Sequence, residues 1–424
     1  MQYDAVMQYD AVMKINQAER WLRLFFGFTV LLFAGIIYVW SLLNQPFALP
    51  VSDGGEFGWS TAQLSLNYTI TIVCFCLGGF AGGMLSGKIS SRARVLAAAA
   101  LLFFGFLLTS RLPAGSSPVP LYFTYGVMSG LGVGFAFTTV IGLTAAWFPD
   151  KKGLCSGVLL TGFGLTSLII GSAADAMMRS ALGWRTTYLI LSVAIGVVLA
   201  AAAFIVRPPR EGTLFPQPPE KPGEPPAAGR DYTAGEMIKT SAFWLVFSEV
   251  ALVAAIGSAA IALAKDILTE FNVGSPAAVI GVISVLNGAG RLASGALFDR
   301  VGTRKTKFFI SAFTLAAPVV IVIGILSGSA PVGVVGLALC YFSYGFAPTI
   351  SSVFTSGFFG ARGFTRNFGI MNLILVPAPF AATLSGAIYQ STRSFLVPFL
   401  ILTGVAVAAL LVNLAIKEPE GVSH

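Results

Sequence analysis

The sequence predicts an all-α membrane protein, with twelve transmembrane helices arranged as two pseudo-symmetric six-helix bundles. Three observations lead to this prediction. The composition is strongly apolar, apolar runs of membrane-crossing length recur along the chain, and one long hydrophilic stretch divides these runs into six and six. Together they place nearly the whole chain inside a bilayer.

The composition is far more apolar than that of a soluble domain. Hydrophobic residues make up 56% of the 424 residues and charged residues only 10%, whereas about a quarter of a soluble domain is charged. A soluble fold has too little interior for so many apolar side chains. Since no soluble segment of useful size separates the apolar runs, we expect the function to lie within the membrane.

Twelve apolar runs have the length of transmembrane helices, for which about 20 residues cross ~30 Å of hydrocarbon. We predict spans at residues 22–46, 60–84, 93–111, 121–148, 154–176, 187–206, 240–264, 276–298, 308–326, 332–359, 366–390 and 395–416.

The one long connection divides the chain into two bundles. It is hydrophilic and contains eight prolines, which predicts a semi-rigid linker, with a small interfacial helix around Glu236. The predicted organisation is an extension at 1–13, a six-helix bundle at 14–206, a cytoplasmic linker at 207–239, a second six-helix bundle at 240–416 and a tail at 417–424. The extension repeats the hexapeptide MQYDAV and is interpreted as an artefact outside the fold.

Basic residues predict the orientation. With both termini in the cytoplasm, twenty of the 26 lysines and arginines lie in inner segments and five in outer ones, while Arg291 lies within a span. This asymmetry follows the positive-inside rule, so we predict a multi-pass protein of the inner (plasma) membrane with cytoplasmic termini. The net charge of +8 therefore reflects topology and not a nucleic-acid-binding surface.

The two halves carry related loops at equivalent places. The sequence after the eighth span reads G-x-x-x-D-R-x-G-x-R-K from Gly295 to Lys305, and a looser copy from Gly83 to Arg92 follows the second span. The first loop resembles the signature loop of the major facilitator superfamily. This resemblance implies that superfamily's fold, with a substrate site near the midplane between the two halves. It also implies a conformational latch at Gly295, Asp299, Arg300, Gly302 and Arg304. In the looser copy, Gly87 stands where the superfamily has aspartate.

A second stretch narrows the resemblance to one branch. Residues 147–157, WFPDKKGLCSG, run into the segment 161–164, TGFG, and together they resemble the loop shared by monocarboxylate porters and oxalate–formate exchangers. The resemblance implies a secondary active transporter of small carboxylates that works by alternating access. The loop Asp53–Trp59 resembles the DGG-x-GW element of monocarboxylate porters, although that element precedes the first span in the animal proteins and follows it here.

Arg291 is the leading candidate for the substrate site. A charge at the centre of a span costs about 2.5–3.5 kcal/mol on insertion scales, and a guanidinium presents a planar fork that matches a carboxylate. The resemblance also implies a substrate arginine at this position. Asn287 lies four residues earlier on the same helical face and is expected to add a polar contact. The alternative is an ion pair of Arg291 with Glu249 in the seventh span.

Leu375 indicates the charge of the cargo. The resemblance to oxalate exchangers extends through the segment 366–369, RNFG, and those proteins carry a lysine six residues later, where this chain has Leu375. One intramembrane cation balances one carboxylate, whereas a dianion would leave a negative charge uncompensated in a low dielectric. We therefore expect a lactate- or pyruvate-like monocarboxylate and not oxalate.

Aromatic residues are candidates for lining the substrate cavity. The implied fold lines that cavity with the first, fourth, fifth and tenth spans, which contain Tyr38, Trp40, Phe137, Phe163, Tyr341 and Tyr344. The resemblance implies tyrosines at positions 137 and 163 in the oxalate branch, so phenylalanine there predicts a more apolar pocket suited to an alkyl tail. Ordinary helix packing is the alternative for each aromatic residue.

Glycines and prolines predict where helices approach one another or break. Gly126, Gly130 and Gly134 form a small-residue face on the fourth span, which predicts close helix packing. Pro377 and Pro379 predict a break in the eleventh helix near the membrane centre, either as a hinge or as a tolerated kink.

The energy source is expected to be an ion gradient, because the chain contains no nucleotide-binding motif. The resemblance implies an aspartate at the position of Asn287 in animal monocarboxylate porters, and asparagine cannot carry a proton. Glu249, Asp266 and Asp175 are therefore the candidates for proton coupling, with Glu249 the deepest in its span. Burial favours the neutral form of a carboxyl group, which suits a proton carrier. The alternative is that Glu249 packs against a loop and does not carry a proton.

The predicted function is thus a proton-coupled symporter of a small monocarboxylate, and the rival is a carboxylate exchanger without proton coupling. An enzyme would need clustered nucleophiles, bases or metal ligands, but the single histidine is the terminal His424 and the four cysteines resemble packing residues. We predict no catalytic residue, metal or cofactor. A channel is disfavoured by the two-half layout.

The expected partners are the monocarboxylate anion, the proton and the lipid bilayer, with no nucleic acid, and the expected state is a monomer.

Overall fold

The computed structural model describes residues 17–209, 215 and 231–417. The repeated extension at 1–13, most of the predicted linker and residues 418–424 lie outside the described residues. The end of the linker is described and contains a short helix, Ala234–Met237, at the place where the sequence predicts one. Thr233 and Glu236 begin it with a capping box, in which each side chain bonds the backbone amide of the other residue.

Twelve helices among the described residues are long and apolar enough to cross a membrane. We number them α1 to α12 in chain order: Gln17–Ala48, Gln63–Met84, Ser91–Ser110, Val119–Ala145, Lys152–Arg179, Gly183–Ile205, Ser241–Ala262, Val279–Thr303, Lys305–Ser327, Ala330–Phe359, Phe364–Tyr389 and Leu396–Ala415. The predicted fold class, an all-α protein with twelve transmembrane helices, is confirmed.

The chain divides into two compact units, Met1–Pro222 and Gly223–His424. The first contains α1 to α6 and the second α7 to α12. Each unit has its own buried apolar interior, while the large exposed hydrophobic side chains lie mainly on the spans. Exposed apolar side chains are expected where a helix faces lipid instead of water.

Close packing between α2 and α4 depends on the glycines of α4. A Cβ atom on Gly134 would lie 2.2 Å from the carbonyl oxygen of Phe75, and one on Gly130 would lie 2.6 Å from that of Thr71. A larger residue would force the two helices apart. The small-residue face on α4 is therefore a helix–helix contact.

The first span is interrupted where it meets the fifth. α1 changes to a 3₁₀-helix over Gly35–Val39, which alters the pairing of nearby backbone groups. Two hydroxyls of α5 supply hydrogen bonds to α1 here: Thr166 donates to the carbonyl of Leu32, before the 3₁₀ segment, at 2.6 Å, and Ser167 donates to that of Tyr38, within it, at 3.1 Å. The break in α1 is thus stabilised by polar side chains of its neighbour.

Irregular turns also occur in α4, α5 and α11. π-Helical segments cover Tyr122–Ser129 and Ser167–Gly171. α11 becomes a 3₁₀-helix over Asn372–Leu375 and resumes as an α-helix directly after Pro377. Proline lacks an amide hydrogen and clashes with the preceding turn. The break that the sequence predicts in the eleventh helix is therefore present.

The two related loops bend at different positions. Gly302 joins α8 to α9 with φ of 78°, a left-handed conformation that favours glycine. In the loop between α2 and α3, the left-handed residue is Gly87, with φ of 83°. The glycine that replaces the aspartate of the signature therefore also forms the turn of this loop.

Candidate functional site

Arg291 lies within α8 and is only 2% exposed. Its Nε donates a hydrogen bond to Oδ1 of Asn287, one turn earlier, at 3.1 Å. Asn287 itself is half-buried. The pair that the sequence predicts on one helical face is therefore in contact, and the neutral amide orients a charged guanidinium.

The backbone around Arg291 is held by α10. A Cβ on Gly345 would lie 2.2 Å from the carbonyl oxygen of Asn287, so the two helices touch at this level. The hydroxyls of Ser294 and Thr349 both donate to the carbonyl of Arg291, at 3.1 and 3.3 Å. These contacts fix the position from which the guanidinium projects, as a binding site for a small ion requires.

Glu249 lies in α7 and is 1% exposed. Its Oε1 accepts hydrogen bonds from Ser311 of α9 at 2.8 Å and from Nδ2 of Asn413 in α12 at 2.5 Å. Its Oε2 has no hydrogen-bond partner among the described residues. No ion pair within the described part of the chain joins Glu249 to Arg291, so the alternative interpretation of Arg291 is not realised.

Lys307 completes the polar cluster around Glu249. It lies in the first turn of α9, is 9% exposed, and its Nζ donates to the carbonyls of Asn413 at 3.4 Å and Ile416 at 2.7 Å. Asn413 returns a hydrogen bond from Nδ2 to the carbonyl of Lys307 at 3.0 Å. Asn413 therefore contacts both Lys307 and Glu249. We name Glu249, Lys307, Ser311 and Asn413 the carboxyl cluster.

The sequence interpretation found only one member of the carboxyl cluster. It counted Lys307 among the topological charges and did not consider Ser311 or Asn413. A signal existed, because Asn413 is an amide within an otherwise apolar run, and polar residues inside spans usually have a partner. The identity of that partner depends on helix packing, which no local pattern specifies.

The other two proton-coupling candidates lie in more open surroundings. Asp175 is in α5 and forms an ion pair with Arg179, one turn later, at 3.0 Å. Asp266 is exposed in the short helix Ala264–Glu270 that follows α7. Glu249 is therefore the buried carboxyl group among the three.

Three of the predicted aromatic residues come together in the first unit. The ring of Phe163 lies 5.3 Å from that of Tyr38 and 5.1 Å from that of Phe137, measured between centroids. Phe75 of α2, which the sequence interpretation missed, stacks on Phe163 at 6.0 Å and meets Phe137 at 5.3 Å. These four side chains form an apolar cluster with one polar rim, the hydroxyl-bearing Tyr38.

Trp40 belongs to a different aromatic group. Its ring lies 4.6 Å from that of Tyr125 and 6.4 Å from that of Phe47. Its Nε1 donates to the carbonyl of Leu64 at 3.2 Å. The side chain is 4% exposed, so Trp40 packs α1 against α2 and α4, as the helix-packing alternative expects.

The predicted residues of α10 and α11 are packed into the second unit. Tyr341 is 3% exposed within an apolar cluster. Tyr344 lies against α7, where a Cβ on Gly257 would come within 2.5 Å of it. Leu375 is half-buried against a second apolar cluster, at the end of the 3₁₀ turn of α11. Asn372, at the start of that turn, is a buried amide that the sequence interpretation missed.

The predicted latch residues surround the turn between α8 and α9. Gly295 is buried, Asp299 half-buried and Arg300 exposed, with Gly302 at the turn; the side chain of Arg304 is outside the described set. After the other loop, in the first turn of α3, Arg94 is 5% exposed and its Nη1 donates to the carbonyl of Gly82 at 2.9 Å. This arginine therefore connects α3 to the end of α2 across the loop that lacks the aspartate.

The stretch that begins at Trp147 joins α4 and α5 to α1. Arg20 forms an ion pair with Asp150, and its Nε donates to the carbonyl of Trp147 at 2.8 Å. Its guanidinium also lies 4.5 Å from the ring centroid of Phe148. The role of this stretch within the first unit is thus to anchor the start of α1, which the motif alone did not indicate.

The loop Asp53–Trp59 forms an ion pair with the start of α6. Glu56 pairs with Arg185, and its Oε1 accepts a hydrogen bond from Nε1 of Trp184 at 3.0 Å. Burial raises the pKa of Glu56, but the hydrogen bonds from Arg185 and Trp184 and the charge of Arg185 outweigh it, so the pKa lies below its ordinary value. The loop is therefore bound to the start of α6.

Two solved structures of transporters resemble this chain in fold. The proton:xylose symporter XylE superposes with a TM-score of 0.67 at 15% identity, covering 96% of this chain and 98% of that one. A bacterial homologue of the iron transporter ferroportin gives 0.69 at 16% identity, covering 94% and 98%. At these identities the likeness establishes the fold alone.

Sequence relatives are more informative about the branch. Residues 24–383 match the Major Facilitator Superfamily. The uncharacterized MFS-type transporter YhjX of Escherichia coli (strain K12) is 24% identical over 362 residues, 84% of this chain and 85% of the relative. The oxalate:formate antiporter of Oxalobacter formigenes is 24% identical over 358 residues, 83% of this chain and 80% of the relative. Monocarboxylate transporter 13 of Rattus norvegicus is 28% identical over 152 residues, only 36% and 34% of the two chains. These relatives confirm the branch that the motifs predict.

Proposed function

We propose that this chain, which belongs to the Major Facilitator Superfamily, moves a small monocarboxylate across the membrane by alternating access, together with a proton. The proposed cargo is a lactate- or pyruvate-like anion. On the positive-inside distribution of the loops, we place the protein in the inner (plasma) membrane with both termini in the cytoplasm. We further propose that it acts as a monomer and without a cofactor.

The observation that carries the proposal is the buried guanidinium of Arg291. A permanent positive charge inside an apolar span is costly and marks a functional site in membrane proteins. Asn287 holds its Nε, and the two Nη nitrogens form the fork that binds a carboxylate. This geometry supports an anionic cargo with a planar carboxylate.

The residue types at three positions support a cargo with one charge and an apolar tail. Leu375 is an apolar side chain where the resemblance implies a lysine in oxalate exchangers, so that position gives no positive charge to a second carboxylate. Phe137 and Phe163 stand where the resemblance implies tyrosines in the oxalate branch. Phenylalanine has no hydroxyl to bind a second carboxylate, so both positions favour an alkyl group.

Glu249 supports the proton-coupled form of the proposal. It is a buried carboxyl group with one oxygen that lacks a hydrogen-bond partner among the described residues. An unsatisfied buried oxygen is costly, and a bound proton removes its charge. Taking up a proton together with an anion also lowers the net charge that must cross the membrane.

The proposal is tested by substrate uptake into proteoliposomes under an imposed pH gradient. An inward proton gradient should drive uphill accumulation of labelled lactate, and a protonophore should abolish it. Glu249→Gln should retain exchange of internal for external lactate and lose uphill uptake, because glutamine cannot carry the proton. Asp53→Asn, an exposed loop variant, is the matched control and should accumulate lactate normally.

A carboxylate exchanger without proton coupling is the second candidate, and the similarity to the oxalate:formate antiporter favours it. The same vesicles distinguish the two functions. Rapid exchange with no response to the pH gradient in the wild type would establish the exchanger. Normal uphill uptake by Glu249→Gln would instead assign the proton to another group, with Asp266→Asn and Asp175→Asn the next variants to measure.

A further inference from the structure

Lys307 is a buried ammonium that the substrate site does not use. It lies at the start of α9, and its two described acceptors are backbone carbonyls at the end of α12, those of Asn413 and Ile416. The last carbonyls of a helix have no partner within the helix and carry the negative end of its dipole. A lysine at this place is therefore stabilised as a cation by the helix itself.

Asn413 links this cation to Glu249. Its side-chain amide donates to Oε1 of Glu249, and its backbone carbonyl accepts from Nζ of Lys307. The carboxylate and the ammonium form no direct ion pair in the described residues, and Asn413 bridges them. In a medium of low dielectric, the attraction between opposite charges extends beyond contact distance.

We propose that Lys307 is a positioning residue that serves as the permanent counter-ion of Glu249 and makes the coupling proton-specific. The inference rests on the proposed function, in which Glu249 carries the coupling ion. When Glu249 is ionised, Lys307 neutralises it. When Glu249 is protonated, the end of α12 still stabilises Lys307. The carboxyl group can therefore gain and lose a proton without leaving either charge unsupported.

The same arrangement disfavours a metal cation as the coupling ion. A sodium ion at Glu249 would place two positive charges, the metal and the ammonium, against one carboxylate. Ser311 contributes one hydroxyl, and the amide of Asn413 presents its NH₂ group, a donor, to the carboxylate. Sodium needs several oxygen ligands, whereas a proton needs only the carboxyl oxygen itself.

A double-mutant cycle on thermal stability tests the charge interaction without requiring transport. Lys307→Met should lower the unfolding midpoint of the purified protein, because it leaves the buried Glu249 without its counter-ion. Glu249→Gln should lower it less, because the carbonyls at the end of α12 still stabilise Lys307. The double variant should recover at least about half of the summed loss, as expected when both partners of a buried pair are removed. Lys305→Met, two residues away on the exposed face of α9, is the control. Additive losses would overturn the proposal.

The pH profile of uphill lactate uptake tests the positioning role. Lys307→Met should move the midpoint of this profile to higher pH by about one unit or more, because Glu249 holds its proton more tightly without a neighbouring positive charge. Lys307→Arg keeps the charge and should retain the wild-type midpoint. Replacing sodium by choline should leave wild-type uptake unchanged. An unchanged midpoint in Lys307→Met, or sodium-dependent uptake, would refute the inference.

The two measurements separate this inference from the proposed function. If the wild type shows no proton-driven uptake, the proposed symport fails, and the stability cycle alone decides whether Lys307 is the counter-ion of Glu249. If symport is present and the cycle is additive, the proposed function stands and the role of Lys307 is refuted.

Discussion

Arg291 and Glu249 are both ionisable residues within apolar spans, yet their surroundings differ. Arg291 contacts the amide of Asn287 on its own helix, whereas Glu249 is bound by side chains of two other helices. A guanidinium oriented by a neutral group suits an anion. A carboxyl group with an unsatisfied oxygen suits a proton. At the residue scale, the two side chains therefore fit different parts of one transport cycle.

The first prediction concerns the shape of the Arg291 side chain. Arg291→Lys keeps the charge but loses the planar fork, so lactate affinity should fall at least about tenfold, or about 1.4 kcal/mol. Arg291→Ala should abolish binding. Titration calorimetry on purified protein measures both. Arg111→Lys, an exposed loop arginine, is the control. Unchanged affinity in a folded Arg291→Ala variant would rule out the assignment.

The second prediction concerns cargo charge. Lactate, pyruvate and propionate should bind at least about tenfold better than oxalate, a difference of about 1.4 kcal/mol that one unpaired charge easily supplies. Leu375→Lys should shift the preference towards oxalate, whereas the apolar control Leu375→Met should not. Competition against labelled lactate measures the ratio. Equal competition by oxalate in the wild type would contradict the expected selectivity.

At the scale of elements, the loop between α1 and α2 contacts both the start of α6 and the loop between α3 and α4. Glu56 binds Trp184 and Arg185 at the start of α6, and its carbonyl accepts the amide of Gly115 in the loop between α3 and α4 at 2.9 Å. Trp59 adds a hydrogen bond from Nε1 to the carbonyl of Ser116 at 3.1 Å. This loop therefore connects three interhelical turns at one end of the unit.

The third prediction follows from the lowered pKa of Glu56. Folding stabilises its ionised form, so its contribution to stability is present above its ordinary pKa of 4.5 and is lost as pH falls through the lower pKa of the folded state. Glu56→Gln should reduce stability at neutral pH by at most about 1 kcal/mol, because the pair is partly exposed to solvent.

Thermal unfolding of the wild type and Glu56→Gln from pH 7 to pH 3 measures this contribution. The difference between them should shrink at the acidic end, while Asp53→Asn in the same loop should match the wild type throughout. A difference that stays constant down to pH 3 would show that the ion pair is not its source.

At the scale of the whole molecule, the distribution of charge accounts for the orientation that we propose. The inner segments collect twenty basic residues and the outer segments five. Positive loops are retained in the cytoplasm during insertion. The twelve spans, an even number, then return the C-terminus to the side of the N-terminus.

The fourth prediction tests this orientation with reporter fusions. A fluorescent protein fused after His424 should be fluorescent, and alkaline phosphatase fused there should be inactive, because both report a cytoplasmic position. Phosphatase fused within the loop Arg111–Pro118 should be active. The reverse pattern would invert the proposed topology.

The sequence predicted local features well. Twelve apolar runs became twelve spans and Pro377 marked a break, because segment length and a missing amide act locally. Asn287 and Arg291 are four residues apart, so helical periodicity alone predicted their contact.

Partners from distant parts of the chain could not be predicted in this way. Glu249 was identified as a buried carboxyl group, but Ser311 and Asn413, which bind it, lie 62 and 164 residues away. Phe75 joined Phe137 and Phe163 for the same reason. Trp40 and Tyr38 were both assigned to the cavity because they lie in the first span, yet their rings join different clusters.

The sequence by itself determined the class of protein and the number of spans, because the bilayer imposes length and polarity on each segment separately. The branch of the family followed from the resemblance of its motifs. Only the tertiary structure decided which charge meets which partner. An ion pair of Arg291 with Glu249 was compatible with the sequence, whereas packing turned Glu249 towards α9 and α12 and placed Lys307 at the end of α12. The physical reason is that a buried polar group needs a hydrogen-bond partner, and only helix packing determines which partner lies within reach.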